Sequence, residues 1–259
     1  MMTQIPKPII TLFQNLRRSK HPRAQSLLEL ALILPVLLIM LLGLAEVAVF
    51  IGRYLDLLDL TREAARFASV RDPFTVQTDH SLWDCGPAAP GTEIPFDFYY
   101  STSCVFSPPR GSSLCYSPKF CNGLNSFVAY NPATDDIVIS VYTVTNDLDV
   151  TNVWPAPKGY WAFSDYDSDT LHNANWKKDC QGNEVRTTPY YNEARVEEAL
   201  AGLAAVKNKG FVAVEYYFCY EQLLGLPIVT NLIPNPLRIH VYTLMPLPAA
   251  QPSPTPKTP

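Results

Sequence analysis

Two carboxylates, Glu29 and Glu46, bracket an apolar stretch that carries no charge between Leu30 and Ala45. A carboxylate near the start of such a span is costly to place in hydrocarbon and is generally retained for a function. The chemistry open to Glu29 is charge pairing with an amine; the bland alternative is residence at headgroup level. Glu46, near the far end of the run, marks a helix contact rather than a proton path. The six cysteines, Cys85, Cys104, Cys115, Cys121, Cys180 and Cys219, all follow this stretch. That asymmetry points to an oxidising compartment and up to three disulfides; buried free thiols are the alternative, and spacing alone leaves the pairing open. There is no CxxC pair, and Cys115 and Cys121 stand too far apart for a zinc knuckle.

Other candidate chemistry is sparse. The sequence has no Gly-rich phosphate loop, no HExxH and no GxSxG, and His21, His80, His172 and His240 are scattered without motif partners. Asp165, Asp167 and Asp169, with Asp147 and Asp149 upstream, could offer oxygen ligands to calcium. The run lacks the glycine and the glutamate that an EF-hand loop needs, so a solvated acidic turn is the better reading. No catalytic residue, cofactor or metal is expected, and the protein reads as not an enzyme. A net charge of −4 implies no nucleic-acid partner.

The element that carries the two glutamates is a helix. With Leu27 and Leu28 before it and Val47 to Ile51 after, the apolar segment is about 20–25 residues, enough to cross a bilayer. No Gly or Pro cluster interrupts Gly52 to Val70, so the helix is predicted to continue, reaching roughly 60 Å over about 40 residues. Pro35 lacks the N–H that would bond four residues back, which predicts a bend. Beyond the span, Val47, Phe50, Tyr54, Leu57, Thr61, Ala64 and Ala68 recur every three or four residues. Arg53, Asp56, Asp59, Glu63 and Arg66 take the other side. The apolar face can pack on its own domain or on neighbouring subunits. Residues 1–23 contain Lys7, Arg17, Arg18, Lys20 and Arg23 and no acid. Positive flanks stay in the cytoplasm, which places the N-terminus inside and the main domain outside, as a single-pass protein. A secretory signal peptide competes, but the apolar run is too long for an ordinary h-region.

The remaining chain supports one domain. Asp72-Pro73 stops the helix. Phe74 to Asn131 reads as loop-rich and stapled by disulfides. Asp136 to Asn146 alternates Ile137, Ile139 and Val141 against Val138, Ser140 and Tyr142 and should be a strand. Asn152 to Pro189 is a polar, aromatic insertion with Trp154, Trp161 and Trp176. Asn192 to Lys207 is predicted helical, closed by Gly210. Phe211 to Tyr220 and Leu237 to Leu244 are predicted strands. The connection between them is apolar, and Leu226 and Ile228 in it are candidates for an interaction loop. Pro246 to Pro259 reads as a disordered Pro-rich tail. The expected division is therefore a basic leader (1–24), a transmembrane and amphipathic helix (25–71), an external domain (72–245) and a tail (246–259). The fold class is α+β: a long N-terminal helix, then an antiparallel sheet of three or more strands, a packed helix and disulfide-stapled loops.

The N-terminal stretch resembles the TadE-like family, pseudopilins of the tight-adherence (Tad, Flp-type) pilus machinery. The resemblance rests on Ala24-Gln25, Glu29, Pro35, Gly43-Leu-Ala-Glu46 and Thr61-Arg62-Glu63-Ala64-Ala65-Arg66. Two positions depart from the family pattern: Ala24 replaces the usual Gly and Leu30 replaces an aromatic. The resemblance implies a membrane-anchored component of pilus assembly or secretion, with other pilin or pilus-assembly subunits as partners. It also implies a prepilin peptidase acting between Ala24 and Gln25, and pairing of Glu29 with the freed amine. The strand–apolar loop–strand order near the C-terminus is a looser likeness to the distal part of TadE-like and TadG-like proteins. The rival reading is a signal-anchored extracellular binding or adhesion module whose surface is the aromatic insertion Asn152 to Pro189.

Overall fold

The computed structural model describes residues 22–74, 85, 97–125, 127–166, 174–203, 206–225, 230 and 233–252. Helix α1 runs from Pro22 to Ser69 and passes through Pro35 without interruption. The chain divides into two compact units inside this helix, Met1–Val47 and Ala48–Pro259. The division falls before residue 72 because Leu57, Leu60, Ala64, Ala65 and Ala68 are buried in the core of the second unit. The first unit is helical throughout its described part, and its apolar side chains from Leu27 to Leu41 are exposed.

The second unit is built on an antiparallel sheet. Its strands are β1 (Asp136–Val144), β2 (Val150–Trp154), β3 (Trp161–Ala162), β4 (Lys209–Tyr220) and β5 (Leu237–Pro246). The order is β2-β1-β4-β5, with β3 also paired to β1. The three strands expected from β-branched alternation are β1, β4 and β5. β1 is buried along its whole length, so both sheet faces are covered. Ile137, Ile139, Val141, Val212, Val214 and Tyr216 share one apolar cluster with α1. Tyr142, Phe211 and Ala213 face the other way, against Val196 and Leu200 of a short helix. Side chains alternate between faces along a strand, so this division follows from the period of two.

The structure adds elements to some of the expected segments and moves the bounds of others. The segment read as loop-rich contains helix α2 (Asp97–Ser103), and Phe98, Tyr99, Phe106 and Phe120 are fully buried. The aromatic insertion, which only the rival reading made a surface, holds β3, the short helix α3 (Phe163–Tyr166) and two fully buried tryptophans, Trp161 and Trp176. The predicted helix to Lys207 is helix α4, Glu193–Leu200; the Asn192 side chain caps it by accepting from the Arg195 N–H. It stops early at Gly202, whose φ of +80° is the left-handed conformation that ends helices. Gly210 lies instead within β4, where a Cβ would sit 2.4 Å from the Leu247 carbonyl oxygen. That approach is how the C-terminal turn Pro248–Ala250 packs: Leu247 and Ala250 are buried, so these first residues of the expected tail belong to the core.

All six cysteines are paired: Cys85–Cys104, Cys115–Cys121 and Cys180–Cys219. The last joins the segment before α4 to β4 across a separation of 39 residues. Closing a loop of that size restricts the unfolded chain, a contribution of about 2–4 kcal/mol. Replacing both Cys180 and Cys219 by serine should therefore lower the urea midpoint of the detergent-solubilised chain while leaving its secondary structure intact. An unchanged midpoint would show that the bridge constrains nothing the rest of the fold does not already hold.

Candidate functional site

The motif residues of α1 separate by environment. Glu29 is exposed, as are the apolar residues around it. Gly43 faces open space, where an added side chain would meet nothing. Glu46 is 6% exposed, a buried acid between the exposed Leu44 and Val47. The Thr61–Arg66 patch is split: Thr61, Ala64 and Ala65 are buried, whereas Arg62, Glu63 and Arg66 point to solvent. Arg62 pairs with Asp59 at 3.2 Å and Arg66 with Glu63 at 3.7 Å, both between exposed side chains one turn apart. Such pairs contribute little to stability. What the patch supplies to the fold is its small side chains, Ala64 and Ala65, which are fully buried in the apolar cluster of the second unit. Of the amphipathic stripe, Leu57, Thr61, Ala64 and Ala68 pack within their own unit, while Val47 and Tyr54 remain exposed. Ala24 and Gln25 lie in α1, and their side chains are outside the described residues, as are Leu226, Ile228, His21, His80 and His172.

A polar cluster that sequence reasoning missed lies on the sheet face away from α1. Glu215 in the middle of β4 is 1% exposed. Its Oε1 accepts from the Tyr191 N–H at 2.9 Å; its Oε2 accepts from the Tyr190 N–H at 3.1 Å and from the Tyr217 hydroxyl. His240 on β5 places Nε2 3.0 Å from the same oxygen. The His240 ring stacks on Tyr217 at 4.3 Å between centroids. With its oxygens so occupied, Glu215 is a clamp that ties the chain entering α4 to the sheet. The signal was present: Glu215 is the one charge within the apolar run Phe211 to Tyr220.

A second buried pair, Asp135 and Asp136, anchors the start of β1. Asp135 accepts from the backbone N–H groups of Asn131 and Cys219. Asp136 accepts from Ser164 and from the Trp176 N–H. Arg238 reaches over from β5 and donates to the carbonyl oxygens of Thr134 and Lys178, both at 2.8 Å. These bonds fasten the aromatic segment to the sheet.

A cleft of about 590 Å³ opens beside β2, lined by Asn152, Lys158, Tyr160, Pro189 and Glu193 among others. Its lining holds neither histidine nor cysteine, and Lys158 is paired with Asp165 at 3.1 Å. Among the described residues no cluster of three His, Cys, Asp or Glu side chains is arranged to hold a metal ion. The feature that stands apart from ordinary core construction is α1: among the described residues it is the one helix long and apolar enough to cross a membrane.

Residues 24–66 match the family described as TadE-like protein. No curated protein and no solved structure matches the chain.

Proposed function

We propose that this chain, with a TadE-like segment at residues 24–66, is a membrane-anchored pilin-like subunit of tight-adherence pilus assembly or secretion, and not an enzyme. The observation that carries the reading is coincidence: the matched segment holds both the exposed apolar run and the Ala-rich turn buried in the second unit. One element thus serves as membrane anchor and as part of a folded core. The basic residues before it favour a cytoplasmic N-terminus, and three disulfides favour an extracytoplasmic location for the rest. The partners are the membrane, other pilin or pilus-assembly subunits and a prepilin peptidase. Cleavage after Ala24 frees the Gln25 amine, and Glu29, of the same or a neighbouring subunit, supplies its counter-charge. The pairing is favoured because an uncompensated carboxylate in hydrocarbon is costly.

The test is complementation in a strain from which the gene has been deleted. The full chain should restore pili and fractionate with membranes, and mass spectrometry should find an N-terminus at Gln25. A Glu29→Ala chain should reach normal levels yet fail to restore pili. Undiminished piliation in the deletion strain would end the assembly reading. An intact leader on a chain that restores pili would remove the peptidase from the partners and leave an uncleaved anchor.

A further inference from the structure

Beyond Ser69, ten large apolar side chains are substantially exposed among the described residues, and five of them sit on two loops. Leu124 and Phe127 occupy one loop; Leu223, Leu224 and Ile233 belong to the connection between β4 and β5. Both loops are fixed to the same part of α1. Arg53 donates to the Phe127 carbonyl oxygen. The other loop leaves β4 at Tyr220, whose ring meets Phe50 edge-on at 5.5 Å. Gln222 then donates through Nε2 to the Ile233 carbonyl oxygen, which holds the two ends of the connection together. Asn125 fixes the first loop from within, donating to the Phe106 and Val128 carbonyl oxygens.

Phe50 belongs to the apolar run, which ends at Ile51. Arg53 lies roughly 4.5 Å further along the helix axis, at 1.5 Å per residue. If α1 crosses a bilayer, a side chain beside Phe50 or Arg53 is at the depth where hydrocarbon gives way to headgroups. Apolar and aromatic groups are favoured at that depth, and a long basic side chain can rise from it into water. A group of exposed apolar side chains on a soluble surface would instead be an aggregation liability.

We propose that Leu124, Phe127, Leu223, Leu224 and Ile233 form a lipid-contacting rim that seats this end of the second unit in the outer interfacial zone of the membrane. The proposal rests on the reading that α1 spans that membrane. The occupant is the bilayer because the two loops are fixed at the last turn of the span, where lipid is already present. A rim of this kind restrains tilting of the external region, and so fixes which surface faces a neighbouring subunit.

The test uses the full chain reconstituted in phosphatidylcholine–phosphatidylglycerol vesicles containing doxyl-labelled phosphatidylcholine. Single cysteines labelled with an environment-sensitive fluorophore are introduced without reductant, as Phe127→Cys and Leu224→Cys. Val185→Cys and Leu203→Cys report exposed apolar positions elsewhere, and Leu38→Cys reports the span. The expected result is blue-shifted emission and several-fold stronger doxyl quenching at 127 and 224 than at 185 and 203. Quenching at 38 with water-like emission at 127 and 224 would overturn the rim and leave the anchor standing. A blue shift at 127 and 224 without quenching would show a protein partner, such as a second copy, and would also overturn it. Absence of quenching at 38 would remove the anchor reading itself, and the rim with it.

Discussion

Replacing Trp161 by alanine should destabilise the second unit by about 3–5 kcal/mol, the range for removing a large aromatic side chain from a packed core. Trp161 is fully buried. Its ring meets Tyr99 at 6.3 Å, Tyr100 at 6.4 Å and Phe163 at 6.1 Å between centroids. These neighbours come from α2 and α3, on either side of Trp161 in sequence, so a cavity there loosens several segments at once. For a unit of this size the melting temperature should fall by roughly 10 °C, measured on the full chain in detergent. Trp154, which is half-buried, is the control and should cost less. The outcome also bears on the rival reading of the chain. An adhesive surface built from the aromatic insertion would tolerate Trp161→Ala with no change in melting temperature. That result would contradict the burial of Trp161 among Tyr99, Tyr100 and Phe163.

What the sequence made legible was whatever repeats with a period. The run Leu30 to Ala45 has no charge, and the long helix followed from that alone. The β-branched alternation of Ile137, Ile139 and Val141 marked β1, and similar runs marked β4 and β5. The parts that stayed hidden depend on partners far away in the chain. Nothing local announces that Tyr99 meets Trp161, or that Gly210 is needed because Leu247 and Ala250 press on it. An aromatic, proline-rich stretch looks like surface until the elements that cover it are in place. The motif on α1 was visible, but its division was not: Ala64 and Ala65 serve the core while Arg62 and Arg66 serve the surface. Helical spacing shows two faces without saying what covers either. Glu215 was visible as a lone charge, yet its role depends on Tyr190, Tyr191 and His240, which come from two other segments.

Asp136 offers the second large effect, with a pH signature of its own. Its Oδ1 accepts from the N–H groups of Ile137 and Ser164, at 2.9 Å and 3.1 Å. Its Oδ2 accepts from the Ser164 hydroxyl at 2.6 Å and from the Trp176 N–H at 3.0 Å. Asp136→Ala removes a buried acceptor from these donors, at about 1–3 kcal/mol for each one left unsatisfied. Relief from burying a charge offsets part of that, and a net loss of about 3–5 kcal/mol is expected. Burial raises Asp136 from its ordinary 3.8 to about 6, against the lowering effect of these bonds. Burial likewise raises its neighbour Asp135 to about 7, although Arg238 and backbone N–H groups oppose the rise. A carboxyl raised on folding holds its proton longer in the folded state than in the unfolded one. Between about pH 4 and pH 7 the folded chain therefore binds more protons, and stability falls as pH rises through that window. Denaturant unfolding of the full chain should show this slope. Asp136→Asn, which keeps the size and two of the acceptor contacts, should flatten it over the lower part of the window while costing less than alanine. A slope identical to that of the unmodified chain would mean that Asp136 is already ionised at the acid end, with its hydrogen bonds outweighing burial.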